Sequence, residues 1–202
     1  MNLTAITELE EVVTKHFVDS LALVKVLDRE ILDGMKVLDL GTGAGFPGIP
    51  IKITFPGVKM VLLDSLNKRI KFLDEVIERL GLEDIRGIHG RAEDYGRDGQ
   101  YREMFDLCVS RAVANLATLS EYCIPFVKIG GFFIPYKSGN VQEEIDQAKG
   151  ALKLLGGRME ARAEFMLPGS DMSRMLLKIK KIEGTAKRYP RKAGMPGKEP
   201  LH

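Results

Sequence analysis

Glycines stand at every second position of Gly41, Gly43 and Gly45, directly after the apolar run Val37-Leu38-Asp39-Leu40. Asp64 closes the next apolar run. This is the spacing of a strand, a tight turn and a helix start, then a second strand ending in a carboxylate. Glycine lets the backbone turn sharply and approach a ligand closely, because no Cβ intervenes. A carboxylate about 20 residues beyond such a turn is placed to bind the two hydroxyls of a ribose. The implied chemistry is that of an enzyme using a nucleoside cofactor.

Strand and helix signals alternate around this turn. Lys36–Leu40, Val58–Asp64, Ile85–His89, Phe105–Ser110 and Phe132–Tyr136 read as strands, the last introduced by Gly130-Gly131. Ile49–Phe55, Lys68–Leu80, Asn115–Val127 and Val141–Leu155 read as helices between them. Lys68–Leu80 is the clearest, with apolar residues at helical spacing and Gly81 as its stop. Arg158–Phe165 and Met175–Ile182 read as two further strands with no helix between them. The expected fold is α/β: a doubly wound, mostly parallel seven-stranded sheet whose final strand is antiparallel. Glu8–Val13 and Phe17–Leu27 read as helices covering one end of it. The expected divisions are an N-terminal helical cap over residues 1–33, a main domain over 34–183 and a basic tail over 184–202.

The 202 residues are 45% hydrophobic and 29% charged, which suits one globular domain. No apolar run is long enough for a membrane helix, and Met1-Asn2-Leu3-Thr4 does not start a signal peptide. Cytoplasmic location and no membrane partner are the expectations. A monomer is also expected, since no exposed apolar helix stripe stands out. Cys108 and Cys123 fit no metal spacing and read as buried thiols. Net charge is only +2, but Lys187, Arg188, Arg191 and Lys192 crowd a glycine- and proline-rich tail. Such a tail is either a phosphate-binding surface or a solvated terminus.

The glycine pattern departs from GxGxxG, because Phe46 stands at the third glycine position. Asp39 lies just ahead of the turn, where it would repel a pyrophosphate and favour a cationic ligand. S-adenosylmethionine carries a sulfonium and an ammonium and no phosphate. The D-x-G-x-G-x-G pattern, the acidic end of the second strand, a later loop acid and the terminal hairpin together resemble class I (Rossmann-like) S-adenosylmethionine-dependent methyltransferases. A nicotinamide oxidoreductase is the alternative on the same sheet, though no Tyr-x-x-x-Lys pair is present. A catalytically silent RNA-binding paralogue is a third.

A narrower resemblance rests on motifs in order along the whole chain. These are Asn2-Leu3-Thr4-Ala5-Ile6, His16-Phe17-Val18-Asp19-Ser20-Leu21, Gly41 through Gly48, Asp64-Ser65-Leu66-Asn67-Lys68-Arg69, Arg91-Ala92-Glu93, Ser110-Arg111-Ala112 and Tyr189 through Gly194. They resemble the bacterial ribosomal RNA small subunit methyltransferase G family, also called glucose-inhibited division protein B. The resemblance implies N7-methylation of one guanine in a 16S rRNA loop near the decoding centre. It implies S-adenosylmethionine as donor, S-adenosylhomocysteine as product and 16S rRNA or the 30S subunit as partner. Carried over by position, it implies cofactor contacts at Gly41, Phe46, Asp64, Ser65, Leu66, Ala92, Glu93 and Arg111. Family members usually carry a further helical segment before the Asn2-Leu3-Thr4 motif, so the N-terminal cap is expected to be short.

Guanine N7 has a lone pair and no proton, so its methylation needs orientation and dryness rather than a general base. No Asn/Asp-Pro-Pro-Tyr/Phe motif for amine methylation stands after the fourth strand, where Ser110-Arg111-Ala112 is found instead. Arg111 is the candidate for orientation, binding a carboxylate or phosphate bidentately; its competing reading is a structural ion pair. His16 and Asp19, three apart on a helix, read as a docking pair rather than catalysts. Lys68, Arg69, Lys137 and Ser138 are candidate RNA contacts alongside the tail cations. Asp39 is read as a possible structural support for the glycine turn.

Overall fold

The computed structural model describes residues 8–139 and 141–202. The motif at residues 2–6 therefore lies outside the described residues. The parallel strands β1 (Lys36–Leu40), β2 (Lys59–Asp64), β3 (Ile85–His89), β4 (Phe105–Ser110) and β5 (Val127–Ser138) are followed by β6 (Gly157–Met166) and β7 (Ser173–Lys181). Their order across the sheet is β3-β2-β1-β4-β5-β7-β6, and β7 runs antiparallel to both of its neighbours. The expected seven-stranded, doubly wound architecture is present, with the last strand of the chain slotted between β5 and β6.

Alternation along the strands sends side chains to two faces. Val37, Leu107, Val109 and Ile134 pack in one core with α3 (Gly48–Thr54) and α4 (Asn67–Leu80). Leu38, Cys108 and Phe133 pack in the other with α6 (Leu116–Cys123) and α7 (Gln142–Leu154). Leu23, Leu27 and Leu32 belong to the first core, so the N-terminal segment is built into that face. Helical conformation there is continuous: α1 (Leu9–Val12) passes through a π-helical stretch, Val13–Val18, into α2 (Asp19–Leu21) and a 3-10 turn, Ala22–Lys25. The break expected between two N-terminal helices does not occur. Short helices α5 (Ala92–Tyr95) and α8 (Met195–Lys198), unforeseen from the sequence, complete the set.

Two boundaries differ for clear physical reasons. Helix α6 starts with Asn115 accepting the Ala117 N–H on its side-chain oxygen at 2.9 Å, and tightens to a 3-10 turn at Ile124–Phe126. Pro125, with no N–H to give, stands inside that turn. Strand β5 starts at Val127 rather than Phe132, running through both glycines across a register shift against β4. Gly130 has φ +88°, and a Cβ on Gly131 would come within 2.6 Å of the Asp106 carbonyl. The glycines shape an irregular strand instead of preceding a regular one.

The sheet order reverses between β1 and β4, and ligands in such sheets bind beyond the carboxyl ends of the strands at that point. The glycine turn follows β1 there, and Arg111 follows β4. Gly131→Ala is expected to lower stability by about 1–3 kcal/mol through the clash with backbone. Urea unfolding should show a lower midpoint with an unchanged slope.

Candidate cofactor site

A cleft of about 530 Å³ opens at this switch point. Its floor is the turn after β1. Asp39 is fully buried beneath it, and its Oδ2 accepts from the Thr42 hydroxyl at 2.7 Å and the Gly48 N–H at 2.9 Å. A Cβ on Gly48 would lie 2.4 Å from Leu62 Cδ2 and 2.8 Å from Asp39 Oδ2, so only glycine fits. Asp39 thus holds the loop from below, as its position in the sequence allows. Its other oxygen, Oδ1, is buried with no hydrogen-bond partner. Burial pushes the carboxyl up from 3.8 to about 6, against the Thr42 and Gly48 bonds that favour the anion. At neutral pH this leaves a buried, half-satisfied negative charge under the cleft, which suits a cationic ligand and opposes a pyrophosphate.

Asp64, at the end of β2, ties three segments together. Its Oδ2 accepts from Gly43 N–H at 3.0 Å, and its Oδ1 from Leu66 N–H at 2.9 Å. Arg69, one turn into α4, donates from Nη1 to both oxygens at 3.2 and 3.4 Å. The carboxylate retains acceptor capacity for ribose hydroxyls, with Arg69 holding the outer side.

The N-terminal helix closes the opposite wall. His16 stacks on Phe46 with ring centroids 4.8 Å apart, and Phe17 meets the same ring edge-on. Arg111 lies over Phe46 and donates to Asp19 Oδ2 at 3.1 Å and to His16 Nδ1 at 3.3 Å. Guanidinium can only donate, so Nδ1 is the acceptor and the imidazole proton sits on Nε2. Burial and the adjacent Arg111 charge hold the His16 pKa below its usual value. Arg174 on β7 donates to the other Asp19 oxygen at 3.1 Å. His16 and Asp19 both address Arg111, and the Arg111 charge is paired.

Gly41, Phe46, Asp64, Ser65, Ala92, Glu93 and Arg111 all line this one cleft. Leu66 is not among the lining residues; it is 51% exposed, and its backbone N–H donates to Asp64 Oδ1. Arg69, assigned from sequence to RNA, lines the cleft beside Asp64. Lys137 and Ser138 line adjoining clefts that share Arg111. The Lys137 ammonium is pinned to the Ala114 carbonyl at 2.6 Å and to Glu144, so it holds the loop after β4. Lys68, Lys187, Arg188 and Lys192 are exposed, whereas Arg191 turns inward onto Glu121, which is completely buried. A buried carboxylate needs a cation, and Arg191 supplies it. Sequence reasoning gave no site role to Arg91, Leu119 and Tyr122, which also line the cleft. Leu119 and Tyr122 are three apart on α6, the one available hint that they share a face.

Because the folded Asp39 pKa lies above the unfolded value, this group's contribution to stability is complete below pH 3.8 and is lost as pH rises through 6. Asp39→Asn should remove that component. Wild-type stability minus mutant stability, from urea titrations, is expected to fall by up to about 3 kcal/mol between pH 4 and pH 7.

A profile of the family described as rRNA small subunit methyltransferase G matches residues 1–168. The chain is 57% identical over 201 residues to a ribosomal RNA small subunit methyltransferase G of Lachnoclostridium phytofermentans, covering all of this chain and 82% of that protein. It is 54% identical to the protein of the same name from Acetivibrio thermocellus, covering all of this chain and 81% of that one. Among solved structures, M. jannaschii TYW2 in complex with AdoMet aligns over 90% of this chain and 81% of its own, with TM-score 0.65 and 14% identity. YcgJ of Bacillus subtilis aligns over 84% of this chain and all of its own, with TM-score 0.61 and 14% identity. These structures share the fold, and the close relatives exclude the nicotinamide alternative. The chain belongs to the rRNA small subunit methyltransferase G family.

Proposed function

We propose that this chain transfers a methyl group from S-adenosylmethionine to N7 of a guanine in a 16S rRNA loop near the decoding centre. Family membership sets methyl transfer to small-subunit rRNA. The observation that carries the finer reading is how the carboxylates and the guanidinium of the cleft wall are already engaged. Asp64 is bound to two amides and Arg69, Glu93 to Gly194 N–H, and Arg111 to Asp19 and His16. Groups so engaged orient a substrate; they are poorly placed to take up a proton. A nucleophile that needs no deprotonation matches that wall.

S-adenosylmethionine supplies an electrophilic methyl group on a sulfonium. The donors and acceptors of the chain fit it: Asp64 and Glu93 for the nucleoside hydroxyls and base edge, Phe46 for the methionine stem, and the buried Asp39 charge for the cationic end. Arg111, neutralised by Asp19, can meet a carboxylate or phosphate without presenting a bare cation to the sulfonium. The packed rings of His16, Phe17 and Phe46 put apolar surface on that side. Holding donor and acceptor in line in a dry cleft is the main source of acceleration for such a displacement.

RNA contact falls to cations that point outward: Lys68, Lys187, Arg188 and Lys192. A monomer acting on 16S rRNA or the 30S subunit in the cytoplasm accords with this arrangement. No helix among the described residues is long and apolar enough to cross a membrane.

The deciding experiment is transfer of labelled methyl from S-adenosylmethionine to 30S subunits or 16S rRNA from cells lacking the modification. 7-Methylguanosine as the product is expected; a different methylated nucleoside would sink the N7 assignment. Asp64→Ala should weaken S-adenosylhomocysteine binding by at least about 1.5–3 kcal/mol, through the charge-assisted hydrogen bonds it removes. Replacing Lys187, Arg188 and Lys192 together by Ala should weaken RNA binding. It should also shallow the slope of log affinity against log salt by about 2, at roughly 0.7 for each phosphate no longer neutralised.

A further inference from the structure

The tail is docked by side-chain hydrogen bonds along its length. Its entry is fixed by Arg102, whose guanidinium donates to the carbonyls of Gly96 and Tyr189 at 2.8 Å and of Thr185 at 2.5 Å. Arg97 donates to the Pro190 carbonyl at 2.8 Å, and the Tyr189 ring is buried in the core beneath α6. Arg191 then grips Glu121 with its side chain and backbone together. Its Nη2 lies 2.7 Å from Oε2, its Nε 3.0 Å from Oε1, and its N–H 2.7 Å from Oε1. Helix α8 is held by the Thr118 hydroxyl, which donates to the Pro196 carbonyl at 3.0 Å.

Between these two fastenings lies Gly194, with φ +83°, and its N–H donates to Glu93 Oε1 at 2.9 Å. Glu93 lies in the first turn of the short helix α5 and lines the cofactor cleft. One oxygen of that carboxylate is therefore held by the tail, and the other is left for a ligand. The φ +83° conformation is one that L side chains rarely adopt, so glycine is the residue that can present an amide here.

We propose that segment 189–198 braces the cofactor site from outside the cleft, and that Arg191 is a positioning residue which acts through Gly194 on Glu93. The proposal rests on the assignment of the cleft to S-adenosylmethionine. The basic tail then has two faces: Arg191 directed inward onto Glu121, and Lys187, Arg188 and Lys192 directed outward.

Calorimetry of the full chain with S-adenosylhomocysteine tests this in a double-mutant cycle. Arg191→Ala and Glu93→Ala are each expected to weaken binding about tenfold or more, the scale of one charged hydrogen bond. If Arg191 acts through Glu93, the double variant binds no more weakly than Glu93→Ala alone. Arg191→Lys, which keeps the charge and loses the fork, is expected to fall between wild type and Arg191→Ala. In methyl-transfer assays Arg191→Ala should raise KM for S-adenosylmethionine and leave kcat at saturation near wild type. Thr118→Ala, which loosens only α8, carries the test should Arg191→Ala fail to fold; a several-fold loss absent in the Glu93→Ala background is expected. Unchanged affinity in the tail variants, or losses that simply add, would overturn the proposal alone. Absence of binding by the wild-type chain would overturn the cofactor assignment and the proposal with it.

Discussion

The ligand end of the sheet is organised by the buried carboxylate of Asp39. It sits on β1 and reaches forward to the Thr42 hydroxyl and to the Gly48 N–H at the start of α3. Those two bonds fix both ends of the glycine turn relative to the strand. Once they are made, Gly43 N–H falls within reach of Asp64, and Asp64 in turn fixes the start of α4 through Leu66 and Arg69. The arrangement is costly for Asp39, whose second oxygen is left dry and unpaired. A buried anion of this kind is a poor device for stability. It is a good one for a site that must welcome a positive ligand, since the low-dielectric surroundings preserve its field.

A second constraint joins the N-terminal helix to the same place. Asp19 is nearly buried between Arg111 after β4 and Arg174 on β7. Two guanidinium groups on one carboxylate neutralise more than its charge, and burial and Arg111 hold the neighbouring His16 pKa below its usual value, against the opposing pull of Asp19. The geometry matters more than the net energy. It carries His16 onto the face of Phe46 and so turns a helix outside the sheet into a wall of the cleft. The same ion group sets where Arg111 points, which is toward the seam between the cofactor cleft and the adjoining clefts lined by Lys137 and Ser138.

The sheet is legible in the sequence because strands carry their evidence locally. Val37 through Leu40 and Phe105 through Ser110 are apolar on both faces, and the turns between them are punctuated by glycine. The glycine turn, Asp64 and Glu93 are legible for the same reason. What escapes reading depends on contacts between distant residues. Arg191 and Lys192 are indistinguishable as neighbouring cations in a basic tail. Only the fold brings buried Glu121, seventy positions earlier, against the first and leaves the second in solvent. Leu66 shows the complementary case: its motif position is legible, but the bond from its amide to Asp64 is not. Gly130 and Gly131 read as punctuation, although close approach to the Asp106 carbonyl places them inside β5. In each case the residue type is legible and its partner is not.

The inward and outward faces of the tail have a thermodynamic consequence that follows from their being one segment. A ligand held by Glu93 favours the docked tail, because the Gly194 N–H helps to hold that carboxylate. If Lys187, Arg188 and Lys192 hold RNA as proposed, RNA favours whichever arrangement presents those cations together, and docking through Arg102, Arg191 and Thr118 fixes their backbone in one arrangement. If both ligands prefer the docked state, each must raise the affinity of the other by the same factor. The size of that factor is limited by how often the tail undocks without ligand. A bidentate pair to a fully buried glutamate is among the fastenings that oppose undocking, and the rarer undocking is, the smaller the coupling. On the proposed roles, the coupling grows as the Arg191–Glu121 pair is weakened, so the pair that braces Gly194 against Glu93 also limits how strongly the two binding events influence each other.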